Sequence, residues 1–299
     1  MKIVGSIATI PSRINNLKPT LVSLHTQTLS LDKLYVVIPQ WCKKEQSGYT
    51  IPNFLHQYCQ LIILDQDYGS LNKLIGPLQA EHTPETIIIT FDDDIVYPND
   101  LVQYLDKKTI ERPNAAIGTA GIRIGSFPSY LSYVTNYDDA QRRWFNFDPV
   151  DNGSKVDILI GYAGNLYKRG YFPPASKLEQ LTRHALEDDN IYKNDDVLIS
   201  SWLSKQRVDR YVYPGPEVLR RDISYHRGLS NDIYSFAQRA YKAIKSCEKR
   251  GLLCERVPVK WCWTVTGPIF LLIMLLLVVL ILARLILREM AVFVSSDHQ

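Results

Sequence analysis

Short apolar runs alternate with helical or polar stretches along the first third of the chain. An apolar run at 3–8 is followed by Leu17, Leu21 and Leu24 at helical spacing, a pattern typical of a strand leading into an amphipathic helix. Further apolar runs predict buried strands at 34–39, 61–65 and 87–91. Such alternation predicts an α/β domain with a mostly parallel central sheet, which binds its ligands at the carboxyl ends of the strands.

The apolar pattern continues less regularly as far as residue 250. The aromatic segment 126–152 fits either a loop or a β excursion, and both alternatives remain open. Helical spacing of apolar residues from Ile233 to Ile244 predicts a last helix that closes the domain. The other predicted elements are a helix at 99–107, strands at 115–117, 121–124 and 157–160, and a helix at 197–203.

A long apolar segment near the C-terminus predicts a transmembrane helix at 264–287. Fifteen uninterrupted apolar residues run from Ile269 to Ala283, and about 20 helical residues are needed to cross a bilayer core. The predicted organisation is therefore an α/β catalytic domain at 1–250, a juxtamembrane linker at 251–263, the membrane helix and a short tail at 288–299.

Charges around this segment predict its orientation and exclude some partners. Basic residues are more numerous before the span than after it, so we expect the large domain to face the cytoplasm, anchored in the membrane by a single C-terminal pass.

The net charge is only +3, which gives no reason to expect a nucleic acid partner. Five scattered cysteines favour neither a zinc site nor a disulfide framework, and they predict a reducing compartment.

Three consecutive carboxylates follow the fourth predicted strand. Asp92, Asp93 and Asp94 repel one another, and a divalent cation would relieve that repulsion. Side chains alternate along a strand, so Asp92 and Asp94 should point to one side and Asp93 to the other. Oxygen ligands of this kind suit Mg²⁺ or Mn²⁺. The alternative is a solvated acidic turn ahead of Pro98.

Other polar or glycine motifs also stand where predicted strands end or helices begin, and each has a structural alternative. The glycines permit a close backbone approach or simply a tight turn, and the acids before the 197–203 helix could only cap it. Each basic residue could be a surface charge, and a lone histidine is more often structural than a ligand. The candidates are Thr9, Arg13, Lys73, Gly161, Gly164, Asp195, Asp196 and His226.

Taken in order, these motifs resemble the GT-A glycosyltransferases, and in particular the small viral and bacterial enzymes of that group. The resemblance covers about residues 2–229 and implies a single GT-A-like, Rossmann-like domain. It also implies a nucleotide-sugar donor, a glycan or lipid-linked acceptor and a Mn²⁺ or Mg²⁺ cofactor. The transfer would be inverting in the leading interpretation, with retention left open.

The resemblance implies a role for each candidate residue. Asp94 would bind the metal directly, Asp92 would contact the metal or the ribose, and His226 would be a late metal ligand. Asp196 or Asp195 would be the base that deprotonates the acceptor, and we favour Asp196 because the resembling motif reads acid-Asp-Val. The residues expected to bind the donor are Thr9, Arg13, Lys73, Asp92, Asp93, Gly161 and Gly164.

Two other functions are compatible with the same acids. A strand that ends in Asp-x-Asp also occurs in HAD-like phosphohydrolases, although that strand is normally the first of the domain and three strands precede it here. A non-enzymatic, membrane-tethered binding module would use the acids only for capping and solvation.

Overall fold

A central sheet of eight strands organises the part of the chain that the structure describes. This computed structural model describes residues 1–124, 131–134, 146–148, 153–213, 215–216, 219–220 and 233–253, all within one compact unit that spans 1–258. The strands are β1 (Ile3–Ala8), β2 (Lys33–Pro39), β3 (Gln60–Leu64), β4 (Ile87–Phe91), β5 (Ile95–Val96), β6 (Ala115–Gly118), β7 (Gly121–Ile124), β8 (Leu131–Val134), β9 (Asn146–Asp148), β10 (Ser154–Lys155), β11 (Ile158–Leu159), β12 (Asn165–Lys168), β13 (Asp209–Val212) and β14 (Leu219–Arg220).

Helices cover both faces of this sheet. They are α1 (Lys18–His25), α2 (Leu55–Tyr58), α3 (Asn72–Ala80), α4 (Leu101–Glu111), α5 (Glu179–Glu187), α6 (Asp189–Tyr192), α7 (Asp195–Lys205) and α8 (Ile233–Lys249). The strand order is β10-β13-β6-β12-β4-β1-β2-β3. β3, β2, β1 and β4 are mutually parallel, so their carboxyl ends lie at one edge of the sheet. The predicted α/β domain with a mostly parallel central sheet is confirmed.

Each face of the sheet is buried under a separate apolar cluster. Val4 packs in a cluster with Leu74 of α3, whereas Ile7 packs in the other cluster with Leu21 of α1. Neighbouring residues of a strand point to opposite faces, so a strand that is covered on both faces is apolar at most of its positions. This is why continuous apolar runs, rather than alternating ones, mark β1 and β4.

The region after the predicted strand at 157–160 differs from the sequence-based expectation. Only Ile158–Leu159 is a strand there, and it pairs with β7 in a second sheet of order β11-β7-β8-β9. The next strand, β12, was not predicted, and it enters the central sheet antiparallel to both β4 and β6. Within the undecided segment 126–152, residues 131–134 and 146–148 are strands of the second sheet.

The predicted membrane anchor requires a correction. Throughout the described ranges, every helix is too short or too polar to cross a bilayer. The last of them, α8, has 17 residues and exposes Lys242 and Lys249 opposite its buried side, which is the pattern of a helix packed on a protein surface. The predicted segment 264–287 lies outside the described residues. We therefore withdraw the single-pass anchor and the membrane localisation and orientation inferred from it.

Candidate functional site

A cleft of about 460 Å³ opens at the carboxyl edge of the parallel strands. Residues that follow all four of these strands line it, because parallel strands deliver their exits to the same edge of a sheet. The start of α7 forms the opposite wall. The lining residues proposed from the sequence are Thr9, Arg13, Lys73, Asp92, Asp93, Asp94, Asp195 and Asp196.

The three aspartates divide into one inward and two cleft-facing side chains. The Asp93 side chain is buried and accepts a hydrogen bond from the Thr9 hydroxyl at 2.7 Å. Arg13 holds two of the acids, with Nη1 at 2.9 Å from Asp93 Oδ1 and Nη2 at 2.6 Å from Asp94 Oδ2. Asp92 and Asp94 are each 34% exposed. Burial raises the pKa of Asp93 to about 6, and the charge of Arg13 partly opposes that rise.

Polar side chains fix the turn that carries these acids. The Thr20 hydroxyl of α1 donates to the carbonyl oxygen of Ile95 at 2.7 Å. The Tyr97 hydroxyl accepts the Asp92 backbone N–H at 2.8 Å and donates to the carbonyl oxygen of Tyr162 at 3.1 Å. The backbone beneath the triplet is therefore held from α1 and from the segment that precedes β12.

Lys73 connects the triplet to the start of α7. Its Nζ lies 2.8 Å from Asp92 Oδ1 and 3.0 Å from Asp195 Oδ2, and its side chain is only 6% exposed. Burial alone would lower the pKa of the Lys73 ammonium, but Asp195, Asp92 and Asp196 outweigh it and raise that pKa well above the ordinary lysine value. Lys73 is therefore a permanent positive charge between two groups of acids.

Asp196 is held differently from Asp195. Its Oδ1 accepts the Gly161 backbone N–H at 3.1 Å. Burial, followed by the neighbouring charge of Asp195, raises the pKa of Asp196 well above the ordinary carboxyl value. Asp195 pairs with Lys73 instead. Both carboxylates thus reach partners outside α7, which is not what helix capping alone requires.

The two glycines predicted to bind the donor, Gly161 and Gly164, are not among the residues that line the cleft, and each has a structural role instead. A Cβ on Gly161 would lie 2.9 Å from Asp196 Oδ1, so only glycine lets the carboxylate approach this backbone. Gly164 has a φ of +90°, a region that L-residues with a side chain rarely adopt. It allows the chain to turn directly into β12.

Asp67 is a site residue that sequence reasoning missed. Its carboxylate accepts four hydrogen bonds: from the backbone N–H of Lys43 and of Gly69, both at 2.8 Å, from Asn72 Nδ2 at 3.0 Å, and from the Tyr192 hydroxyl at 2.9 Å. The signal available was Asp-x-Gly beginning three residues after the end of β3, and this pattern is typical of an aspartate that accepts from the backbone N–H two residues ahead. Lys43 and Lys44 also line the cleft, and no local pattern marks them.

The predicted divalent cation fits the donor chemistry of the cleft. Within the described ranges, no three His, Cys, Asp or Glu side chains are arranged to hold a metal ion. Asp92 and Asp94 nevertheless present carboxylate oxygens at the cleft, and Mg²⁺ is commonly held by one or two carboxylates together with substrate phosphates. His226 lies outside the described residues. Mn²⁺ or Mg²⁺ binding remains a prediction.

Comparisons with known proteins give a distant similarity in fold. No protein-family model matches the sequence, and no curated protein matches it. Among solved structures, the chain is similar to the crystal structure of Francisella tularensis 2-C-methyl-D-erythritol 4-phosphate cytidylyltransferase (IspD). The TM-score is 0.40 at 14% sequence identity, over 81% of this chain and 100% of that chain. A likeness this distant carries no chemistry over to this chain.

Proposed function

We propose that this chain is a divalent-cation-dependent glycosyltransferase that moves a sugar from a nucleoside-diphosphate donor to an acceptor hydroxyl. The supporting observation is that Lys73 contacts both Asp92 of the triplet and Asp195 of α7. The acids that would hold the metal ion for the diphosphate therefore face the same cleft as the acids that could deprotonate an acceptor. A glycosyl transfer needs both within reach of one anomeric carbon.

On the donor side, Asp94 and Asp92 would hold Mn²⁺ or Mg²⁺. When bound, the cation would neutralise charge on the departing diphosphate. Arg13 positions Asp94, and Lys73 positions Asp92, through the ion pairs at 2.6 and 2.8 Å. The positive charges of Arg13 and Lys73 also lower the electrostatic repulsion between a bound diphosphate and the acids of the triplet.

On the acceptor side, Asp196 is the better base of the two acids. Its raised pKa makes it a stronger proton acceptor near neutral pH, whereas the ion pair with Lys73 occupies Asp195. In the proposed step the acceptor oxygen bonds to the anomeric carbon while the bond from that carbon to the diphosphate oxygen breaks. The acceptor proton passes to Asp196, and the nucleoside diphosphate leaves.

A donor screen with the full chain tests this proposal. Release of nucleoside diphosphate from UDP- and GDP-sugars is followed with and without Mn²⁺, and we expect metal-dependent release that Asp94→Asn abolishes. Asp100→Asn is the matched control, because Asp100 is exposed six positions after Asp94 and makes no capping hydrogen bond. It should leave release unchanged.

Two results would reject the proposal. One is no release from any donor, together with an unchanged melting temperature in Mn²⁺ and nucleotide, since a ligand at 100 times its Kd should add about 2.7 kcal/mol. The other is hydrolysis of an aryl phosphate with an aspartyl phosphate trapped at Asp92, which would identify a phosphohydrolase.

A further inference from the structure

A buried amide lies close to the Asp196 carboxylate. It belongs to Asn165, the first residue of β12, which is completely buried. The Asn165 Nδ2 atom lies 3.6 Å from the point that a Cβ would occupy on Gly161, and Asp196 Oδ1 lies 2.9 Å from the same point. The amide and the carboxylate therefore converge on one side of the Gly161 Cα.

The Asn165 amide is buried at a cost to stability. Neither Nδ2 nor Oδ1 has a hydrogen-bond partner among the described residues. Burial raises the pKa of Tyr167, and the nearby Asn165 side chain opposes that rise, but this contact is not aligned as a hydrogen bond. Packing alone would favour leucine at position 165, because leucine has nearly the same shape and no polar atoms to leave unpaired.

The neighbouring strand β6 leaves room for this amide. A Cβ on Gly118, the last residue of β6, would lie 2.5 Å from Asn165 Oδ1, which is closer than two such atoms approach without displacing one another. Because β6 and β12 are adjacent in the central sheet, a side chain at 118 would take the space of the amide. The absence of a side chain at 118 therefore allows an asparagine at 165.

Thr90 lies on the other side of the amide. It is directly opposite Asn165 in the antiparallel pairing of β4 with β12, so both side chains point to the same face of the sheet. Thr90 is buried, and its Oγ1 also has no hydrogen-bond partner among the described residues. An amide offers both donors and an acceptor, and its last torsion turns easily. One amide can therefore connect a hydroxyl on β4 with a carboxylate on α7.

We infer that Asn165 is a positioning residue that holds Asp196 through a hydrogen bond from its Nδ2, while its Oδ1 accepts from the Thr90 hydroxyl. The inference rests on the proposed function for the role of Asp196 as the base. An ionised carboxylate only accepts hydrogen bonds, and Asp196 Oδ1 already accepts from the Gly161 N–H at 3.1 Å. A second donor fixes the rotation of the carboxylate, so that it stays aimed at the acceptor hydroxyl.

Asn165→Leu in the full chain separates positioning from packing. Urea unfolding should show the variant at least as stable as the unaltered chain, because a buried amide without partners is removed. The Asp196 carboxylate should turn away from Gly161, so hydrogen exchange at the Gly161 amide should accelerate about fivefold or more. Steady-state kinetics should show kcat lowered about tenfold to a hundredfold, with KM changed less than about twofold.

Two threonines at opposite ends of β4 supply a matched pair of variants. Thr90→Val removes the hydroxyl opposite Asn165 and should change Gly161 exchange and kcat in the same direction as Asn165→Leu, by a smaller factor. Thr86→Val is the control, because Thr86 directly precedes β4 and its buried hydroxyl also has no partner among the described residues. It should leave both quantities unchanged. If Asn165→Leu did not fold, the comparison of the two threonine variants would decide the inference.

Unchanged Gly161 exchange in Asn165→Leu would overturn the inference, as would equal effects of Thr90→Val and Thr86→Val. A loss of stability in Asn165→Leu with unchanged exchange would make Asn165 a packing residue only. Failure of the proposed function is distinguishable from these results. Accelerated Gly161 exchange without sugar transfer by any variant would leave the positioning of Asp196 standing and remove the transferase. Sugar transfer with an undiminished kcat in Asn165→Leu would do the reverse.

Discussion

Lys73 and Asp195 form an ion pair of 3.0 Å between α3 and α7, with side chains only 6% and 9% exposed. The contact is an ion pair rather than a well-aligned hydrogen bond, since Asp195 Oδ2 has no hydrogen-bond partner. The same ammonium lies 2.8 Å from Asp92. Lys73 therefore holds Asp92 of the triplet close to Asp195 of α7. The separation of the two groups of acids, and with it the shape of the cleft, depends on this one buried charge.

Replacing Lys73 with methionine should strongly destabilise the chain. The substitution leaves the buried carboxylate of Asp195 without its positive partner, and breaking a buried pair in this way costs about 3–5 kcal/mol. Urea unfolding at neutral pH measures the loss. The matched control is Lys43→Met, whose pair with Asp189 is 55% and 72% exposed and should contribute less than about 1 kcal/mol. Equal losses in the two variants would contradict the importance given to burial.

Asp196→Asn should stabilise the chain while it abolishes transfer. The folded protein binds the Asp196 proton more tightly than the unfolded chain, because the pKa of Asp196 is raised in the fold. The free energy of unfolding therefore falls as the pH rises from about 4 toward that raised pKa, and asparagine removes this loss. Denaturation at several pH values should show the variant more stable at neutral pH, with a gain that shrinks in acid.

Asp195→Asn is the control for that prediction, and its expected effect has the opposite sign. It removes the partner of Lys73 and should lower the free energy of unfolding.

In the unaltered chain, kcat/KM should decline on the acid side at a pH well above the ordinary carboxyl range, because the base must be ionised to accept a proton. A decline only near pH 4 would remove Asp196 from the role of base.

The sequence alone indicated the framework of the fold, because a strand that is buried on both faces appears in the sequence as a nearly continuous apolar run. Apolar runs located β1 and β4, and helical spacing located α1, where the N-cap Leu17 and the helix residues Leu21 and Leu24 are all buried. The strand β12 left no such trace. It is four residues long, Asn-Leu-Tyr-Lys, and its strand conformation depends on the two neighbours that it joins.

The sequence predicted the location of site residues only where they follow closely after the end of a strand. Because ligands bind at the carboxyl ends of parallel strands, the sequence alone predicted that Asp92 and Arg13 lie at the same edge of the sheet. The contact of Lys73 with Asp195 joins residues 122 positions apart, and local patterns do not specify such pairs. The placement of Lys44 depends on a loop held by side chains of other segments, so it becomes visible only in the folded chain.

Gly161→Ala should impair transfer far more than it impairs folding. A Cβ at this position would lie 2.9 Å from Asp196 Oδ1, and it would push the carboxylate away from the Gly161 N–H. A displacement of about 1 Å in a catalytic group can cost about a hundredfold in rate. Steady-state kinetics should show that loss mainly in kcat. Gly48→Ala is the control, because its Cβ would meet nothing closer than 3.8 Å. Unchanged kcat in Gly161→Ala would argue against Asp196 as the base.

Asp67→Asn should loosen the loop at 42–49, between β2 and α2, and lower the free energy of unfolding. An amide nitrogen in place of Oδ2 cannot accept from the Lys43 N–H or the Tyr192 hydroxyl, and two such losses cost about 1–3 kcal/mol. Urea unfolding measures the stability, and hydrogen exchange at the Lys43 amide should accelerate. Asp65→Asn is the control, because Asp65 is exposed and accepts a 3.1 Å bond from exposed Gln40, so its substitution should change the free energy of unfolding by less than about 0.5 kcal/mol. If Lys43 exchange stayed slow in Asp67→Asn, the loop would be held chiefly by the hydrogen bonds of Glu45 to the Ser12 N–H and of Tyr49 to the Thr9 carbonyl oxygen.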